Sequence, residues 1–292
     1  MNGTSKPATT NSLNAILSRR SRDRLAEAVF FLITLLPLVI LLAVIVALVV
    51  RSWPILNVDS LGNLLSGTVW KPLSGKFGFY PYIVGTFWVT ILALILAVPP
   101  CLLTAIYLSE YVSSRTAAFA KPLLDLLAGI PSVVYGVWGM VAIVPWVQRL
   151  HPFFSRWLGF IPLFQVNNPT GFSILAGGIV LAVMIAPFII AITYEVLRAV
   201  PEGSRQASLA VGATQWTTIR YSVLPPSTAG IVAGVVLGAS RALGETMAVL
   251  MVVGNVAHVP TSIFYTAYPQ PALIANNYGE MMSIPMYDAA LL

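Results

Sequence analysis

Residues 28–50 read AVFFLITLLPLVILLAVIVALVV, an apolar run with no charged side chain. At about 23 residues it exceeds the ~20 that a helix needs to cross the hydrocarbon core of a bilayer. The rest of the chain points the same way. Of its 292 residues 58% are hydrophobic and only 9% charged, where soluble domains carry roughly 25% charged residues. Backbone polar groups in lipid must be satisfied within the segment, so the chain is read as an all-α polytopic membrane protein. The first run is too long, and too directly followed by Arg51, for a cleaved signal peptide. It is expected to stay as an anchor.

Four more apolar runs follow, at about 81–108 (interrupted by Pro99-Pro100), 126–147 (containing Pro131 and Pro145), 171–197 and 228–253. This divides the chain into a tail at 1–26, a first transmembrane helix at 27–51, a loop at 52–80, and a membrane core at 81–292. Five complete spans are visible, and a sixth is expected to begin where the sequence stops at Leu292, which would leave that end outside.

The basic residues orient the spans. Lys6, Arg19, Arg20, Arg22, Arg24, Arg115, Lys121, Arg198, Arg205 and Arg220 fall on the side of the tail; Arg51, Lys71, Lys76, Arg149 and Arg156 fall on the other. Positive charge favours the cytoplasm, so the N-terminus is expected inside, as a loose tail ending in a charge cluster. The net charge of +6 is then a matter of orientation rather than of nucleic-acid binding, since no soluble basic domain is present. Segments 52–80, 149–170 and 254–288 are rich in Trp, Tyr, Phe, Pro and Asn, as expected of loops at the outer interface. The Asn2-Gly3-Thr4 triplet fits a glycosylation sequon, but a cytoplasmic tail would not meet the modifying enzyme.

Catalytic and metal signatures are absent from the sequence. Cys101 is alone, so no intrachain disulfide forms. His151 and His258 fall in separate loops with no HExxH pattern, so no metal is expected. No GxxxxGK[ST] loop is present to cradle a nucleotide, so no catalytic residue is expected. Asp125, four residues after Lys121, is read as its interfacial i,i+4 partner.

Two stretches break the apolar pattern. In EVLRAVPEGSRQASLAVGATQWTTIRYSVLPPS, residues 195–227, Pro201 starts a helix with Glu202 in its first turn, where the helix dipole favours an acid. Gly212 ends that helix, a second short one runs to about Val223, and Pro225-Pro226 stop it. The second stretch, GASRALGETMAVLMVVGN, places Arg241 inside the fifth span, about 18 Å along a helix from Ala229 at ~1.5 Å per residue. A charge that deep costs from about 2.5 to above 10 kcal/mol, so it must face a partner or a wet cavity. Glu245 at i+4 would share its helical face, although Arg-before-Glu is the weaker order for such a pair. Either the two form a bridge that fixes packing, or Arg241 offers its planar fork of donors to an anion while Glu245 tempers its grip and accepts a proton-bearing oxygen. Ahead of them Gly230, Gly234 and Gly238 recur every four residues, a groove for close helix approach, either within the chain or against a second subunit.

The motifs also carry a family resemblance. Gln206-Ala207-Ser208, then Gly212, then Leu224-Pro225, resembles the EAA loop of ABC-importer permeases, with Gln206 and Ser208 departing from the usual Glu and Ala. SWP at 52–54, YIVGTFWVT from Tyr82, AGIPSVVYGVWGM from Ala128 and RALGETMAV from Arg241 together resemble phosphate-specific permeases of the PstC type. The PstA type shares RALGET, and permeases for sulfate or molybdate remain neighbours. The resemblance implies a type I (MetI-like) importer permease in a bacterial inner membrane, with Arg241, Glu245 and Thr246 along the substrate path. It implies that Gln206, Ala207, Ser208, Gly212, Leu224 and Pro225 dock a separate ATPase. It further implies a PstA-type second permease, a PstB-type ATP-binding dimer and a PstS-type outer binding protein, with no cofactor on this chain and ATP and Mg held by the ATPase.

Overall fold

The computed structural model describes residues 10–57, 59–166, 169–278 and 286–291; the Asn2-Gly3-Thr4 triplet lies outside them. The chain divides into two units between Val58 and Asp59.

The first unit is one helix, α1 (Thr10–Leu56). Its apolar surface is bare, with Phe30 and Phe31 each 69% exposed. Such a surface is compatible with lipid and not with water. The helix reaches back to Thr10, so the tail expected to be loose is helical from there; Leu, Ala and Arg, all good helix formers, dominate that approach.

The second unit opens with α2 (Leu61–Ser66) and an antiparallel hairpin, β1 (Trp70–Lys71) with β2 (Lys76–Phe77). Gly75 at φ 67° makes its left-handed turn. Then come α3 (Tyr80–Glu110), α4 (Ser114–Ala128), α5 (Ser132–Trp138), α6 (Val144–Leu158), α7 (Ile174–Arg198), α8 (Glu202–Ala210), α9 (Gln215–Thr218), α10 (Leu224–Leu243), α11 (Met247–Leu250), α12 (Gln270–Asn277) and α13 (Tyr287–Leu291).

Among the described residues, five helical segments are long and apolar enough to cross a membrane: Ala26–Leu56, Tyr80–Glu110, Ser132–Leu158, Ile174–Arg198 and Gln215–Leu243. Their bounds differ from the sequence reading where proline is involved. The third begins at Ser132, because the chain breaks at Gly129–Pro131 after α4, and it runs on to Leu158. His151 is therefore not in a loop; it is buried in α6 with its ring edge-on to Phe264, centroids 5.0 Å apart. Pro225-Pro226 do not stop a helix. A π turn at Ile219–Val223 precedes them, the Leu224 N–H reaching back to the Ile219 carbonyl, and the helix continues into α10. The wider turn makes room ahead of the proline rings, which lack N–H donors and would crowd the carbonyls one turn back. Gly139–Ile143 does the same ahead of Pro145.

The packing centres on α7, whose most apolar stretch is 67% buried. Along α3 the residues Gly85, Val89, Ala93, Ala97, Cys101, Ala105 and Ser109 recur every fourth position and are all buried. This small-residue stripe lets α3 lie against α7, with Cys101 Sγ 3.7 Å from the Ala186 carbonyl oxygen. On another side α10 approaches through its glycines. A Cβ at Gly230, Gly234 or Gly238 would meet Val196, Ile192 and Ile189 of α7 at 2.6, 3.0 and 2.8 Å respectively.

The 254–278 segment is not a loose surface loop. Ser262, Phe264, Thr266 and Ala267 are buried. The carbonyls of Tyr265 and Ile263 accept the Ile174 and Leu175 N–H groups at 2.9 and 2.8 Å, satisfying donors that the start of α7 leaves free. Burial holds the His258 imidazole below the usual histidine range, partly offset by a hydrogen bond to the Val256 backbone.

Two outcomes follow. Gly238→Leu should prise α10 from α7 at a cost of about 1–3 kcal/mol, the range for overpacking, read as a lower thermal midpoint of the detergent-purified protein. Because His258 is depressed in the folded protein, its contribution to stability is intact above ~6.5, the unfolded value, and is lost as pH falls through the lower folded value. The thermal midpoint should drop on acidification, and His258→Gln should lessen that drop.

Candidate functional site

The Arg241 region is built on a broken helix. The sequence places Arg241 and Glu245 on one helical face, but α10 ends at Leu243. Gly244 turns the chain, its N–H bonding the Ser240 carbonyl at 3.2 Å, and Glu245 N–H tightens the turn onto Ala242 at 3.3 Å. Thr246 Oγ1 closes on the Gly244 carbonyl at 3.3 Å, and α11 starts afresh at Met247. A glycine and a local hydroxyl bond both compete with helical pairing.

The break separates the two charges. Arg241 sits in the last turn of α10, where the helix dipole favours a cation. Glu245 stands before α11 and accepts the Ala248 N–H at 3.2 Å. No ion pair joins Arg241 and Glu245 among the described residues. The guanidinium instead lies over the ring of Phe188 on α7, 4.3 Å from its centroid. A contact with a ring face engages the charge of the guanidinium without supplying a hydrogen-bond acceptor to its N–H donors. Arg241, Glu245 and Thr246 are all half-buried.

Helix α5 borders this junction. Tyr135 is within range of the Arg241 charge, and its hydroxyl donates to the Leu127 carbonyl at 2.9 Å, bridging the break before α5. One residue on, a Cβ at Gly136 would lie 2.8 Å from Met251 Sδ and 3.1 Å from Ala248 Cα. The IPSVVYG stretch thus packs directly on the chain that follows Glu245.

The loop between α7 and α10 forms a second polar region. Gln206 and Ala207 are exposed on α8, together with Leu209 and Val211, the latter 85% exposed. Ser208 receives the Thr218 hydroxyl at 2.9 Å. Gly212 turns at φ 85° with the N–H bonded to the Leu209 carbonyl, a left-handed helix ending that suits glycine. Leu224 and Pro225 lie beyond the π turn at the start of α10, Leu224 against the core and Pro225 exposed. The inward side of α8 is held by Arg205, which pairs with Glu110 at the end of α3.

Lys121 bonds Glu195 of α7 rather than Asp125. That hydrogen bond, with the Glu195 charge, raises the Lys121 ammonium above its ordinary range, and Asp125 adds only a smaller Coulombic pull. Both partners are 55% exposed, so the pair adds little to stability. The cavity beside it, about 440 Å³ and lined mainly by apolar residues of α3, α4 and α7, lies away from Arg241.

Sequence reading missed Phe188, Arg205 and Glu110 as partners. Phe188 carries no sequence signal, being one aromatic in an apolar helix. Arg205 entered only as a positive charge. The α3 stripe does carry a sequence signal, small residues recurring every fourth position from Gly85 to Ser109 with Val89 among them.

With this geometry in view, the comparisons are specific. Residues 101–284 match the family of binding-protein-dependent transport system inner membrane components. The chain belongs to that family and is a multi-pass membrane permease, a transport subunit. Phosphate transport system permease protein PstC of Pasteurella multocida is 36% identical over 94% of this chain and 85% of that protein. The protein of the same name from Mesorhizobium japonicum is 35% identical over 98% of this chain and 88% of its own length. The probable ABC transporter permease protein YqgH of Bacillus subtilis is 38% identical over 75% and 66%.

Proposed function

We propose that this chain is the PstC-type permease subunit of an ATP-driven importer of inorganic phosphate, with the anion passing Arg241. The observation that carries the reading is the guanidinium stacked on Phe188 and unpaired with Glu245. A cation so held has its orientation set by an aromatic face while its donors stay available to oxyanion oxygens. Glu245 stands on the other side of the break, one oxygen engaged by the Ala248 N–H. Its carboxylate discriminates by accepting a hydrogen from a protonated phosphate, which sulfate cannot supply. It also keeps the arginine from holding the anion too tightly. Thr246 completes the polar lining of the junction.

The exposed face of α8, with Gln206 and Ala207, together with Ser208, Gly212, Leu224 and Pro225, meets a separate ATPase of the PstB type, which holds ATP and Mg; this chain binds no cofactor. A PstA-type permease completes the path, and a PstS-type binding protein delivers phosphate from outside. The N-terminus and the 198–227 loop face the cytoplasm of a bacterial cell whose inner membrane holds the assembly. The three glycines of α10 form a packing seam to α7.

Uptake in proteoliposomes holding the whole assembly tests the reading. Glu245→Gln should cut discrimination between phosphate and sulfate by roughly tenfold, the worth of a hydrogen bond to a charged group. Unchanged selectivity would reduce Glu245 to a helix cap, and uptake of sulfate in preference to phosphate would overturn the substrate. Phe188→Leu removes a contact worth about 0.5–2 kcal/mol, so half-maximal uptake should shift several-fold in phosphate concentration while the assembly stays intact.

A further inference from the structure

One side chain ties three elements together beneath the loop. Arg205 on α8 forks onto the last residue of α3: Nη2 lies 3.0 Å from Glu110 Oε1 and Nε 3.2 Å from Oε2. It also donates to the carbonyls of Leu197, in the last turn of α7, and Val200, just beyond it, at 2.7 and 2.5 Å. The Arg205 side chain is 12% exposed and that of Glu110 is 7%. The backbone carbonyl of Glu110 accepts the Gln215 side-chain amide of α9 at 2.6 Å. Glu110 thus holds both arms of the loop, α8 through its carboxylate and α9 through its carbonyl.

We propose that the Arg205–Glu110 pair is the clasp through which movement of α8 is delivered to the loop-side ends of α3 and α7, making both positioning residues for transport. The inference rests on the reading above that an ATPase docks on this loop. Its physical ground is stiffness. A bidentate charge-assisted pair, shielded from water and with further donors on two carbonyls, fixes distance and angle together. The exposed Lys121–Glu195 pair, which joins α4 to α7, has neither shielding nor a fork. Helix α8 therefore has two working sides: Gln206, Ala207 and Leu209 face outward, while Arg205 reaches inward. A displacement applied to the outer face passes through Arg205 into α7, which meets α10 at Gly230, Gly234 and Gly238, and α10 carries Arg241.

A clasp that only fastened the loop would matter for assembly alone. The test therefore uses changes that keep the volume and spoil the fork, Arg205→Lys and Glu110→Gln, in the full assembly of permeases, ATPase and binding protein. Both variants should still co-purify the ATPase and hydrolyse ATP within about twofold of wild type, while anions moved per ATP fall about tenfold, within the span of coupling between sites. The double variant should be no worse than either single one, because the two side chains act as one unit. Hydrogen exchange over residues 104–112 gives a readout that needs no cargo. On adding a non-hydrolysable ATP analogue, that segment should change its protection in wild type and not in Arg205→Lys. Unaltered anions per ATP, equal exchange responses in variant and wild type, or loss of the ATPase from the Arg205→Lys assembly would each overturn the clasp. Preference of the wild-type assembly for sulfate would sink the phosphate reading and leave the clasp standing on the exchange result.

Discussion

Close contact between helices that have no hydrophobic reason to associate is the constraint on which this molecule depends. In lipid, helix packing comes from van der Waals fit and interhelical polar bonds rather than from escape from water. The chain meets that demand by removing side chains where helices meet. Gly230, Gly234 and Gly238 on α10, and Ala93, Ala97, Cys101 and Ala105 on α3, let both helices come close to α7. With α7 enclosed, Phe188 is held at the depth where α10 brings Arg241, and the ends of α3 and α7 are placed for Arg205 to bridge. Substrate chemistry and loop attachment alike are consequences of glycine and alanine spacing.

The broken helix answers why an arginine and a glutamate occur so near each other in an apolar segment. On one continuous helix, Arg at i and Glu at i+4 is a weak order. Split by Gly244, each charge meets the helix end whose partial charge it complements: Arg241 at the C-terminal end of α10, Glu245 before the first turn of α11. Neither then needs the other, and the arginine keeps its donors. The break itself is supported by α5, whose Gly136 lets the helix close onto Ala248 and Met251. That contact gives the IPSVVYG and RALGET stretches a shared physical reason for their composition.

Much of the architecture was legible from runs and punctuation. The number of spans, the polar loop between the fourth and fifth, and the turn at Gly212 follow from apolar length and glycine placement. Proline misled in both directions. Pro131 ended a helix earlier than the apolar run suggested, whereas Pro225-Pro226 ended nothing, because a π turn restored the register ahead of them. Apolar content cannot report such a shift in hydrogen bonding. Sequence neighbours misled as well: Lys121 has Asp125 one turn away yet bonds Glu195, which a different helix brings closer.

Composition and spacing alone settled that this chain is a bundle of membrane helices with an arginine inside its fifth apolar run, because insertion in lipid is a matter of length and charge. They also marked the glycine seam of α10, since a missing side chain is visible in one dimension. What each polar side chain touches was decided only by the folded bundle. Arg241 over Phe188, Arg205 on Glu110 and Glu245 on the Ala248 N–H join residues from different helices or from either side of a turn. Those partners are chosen by how helices cross and where they break, and a crossing leaves no periodic trace in either of the strands of sequence that make it.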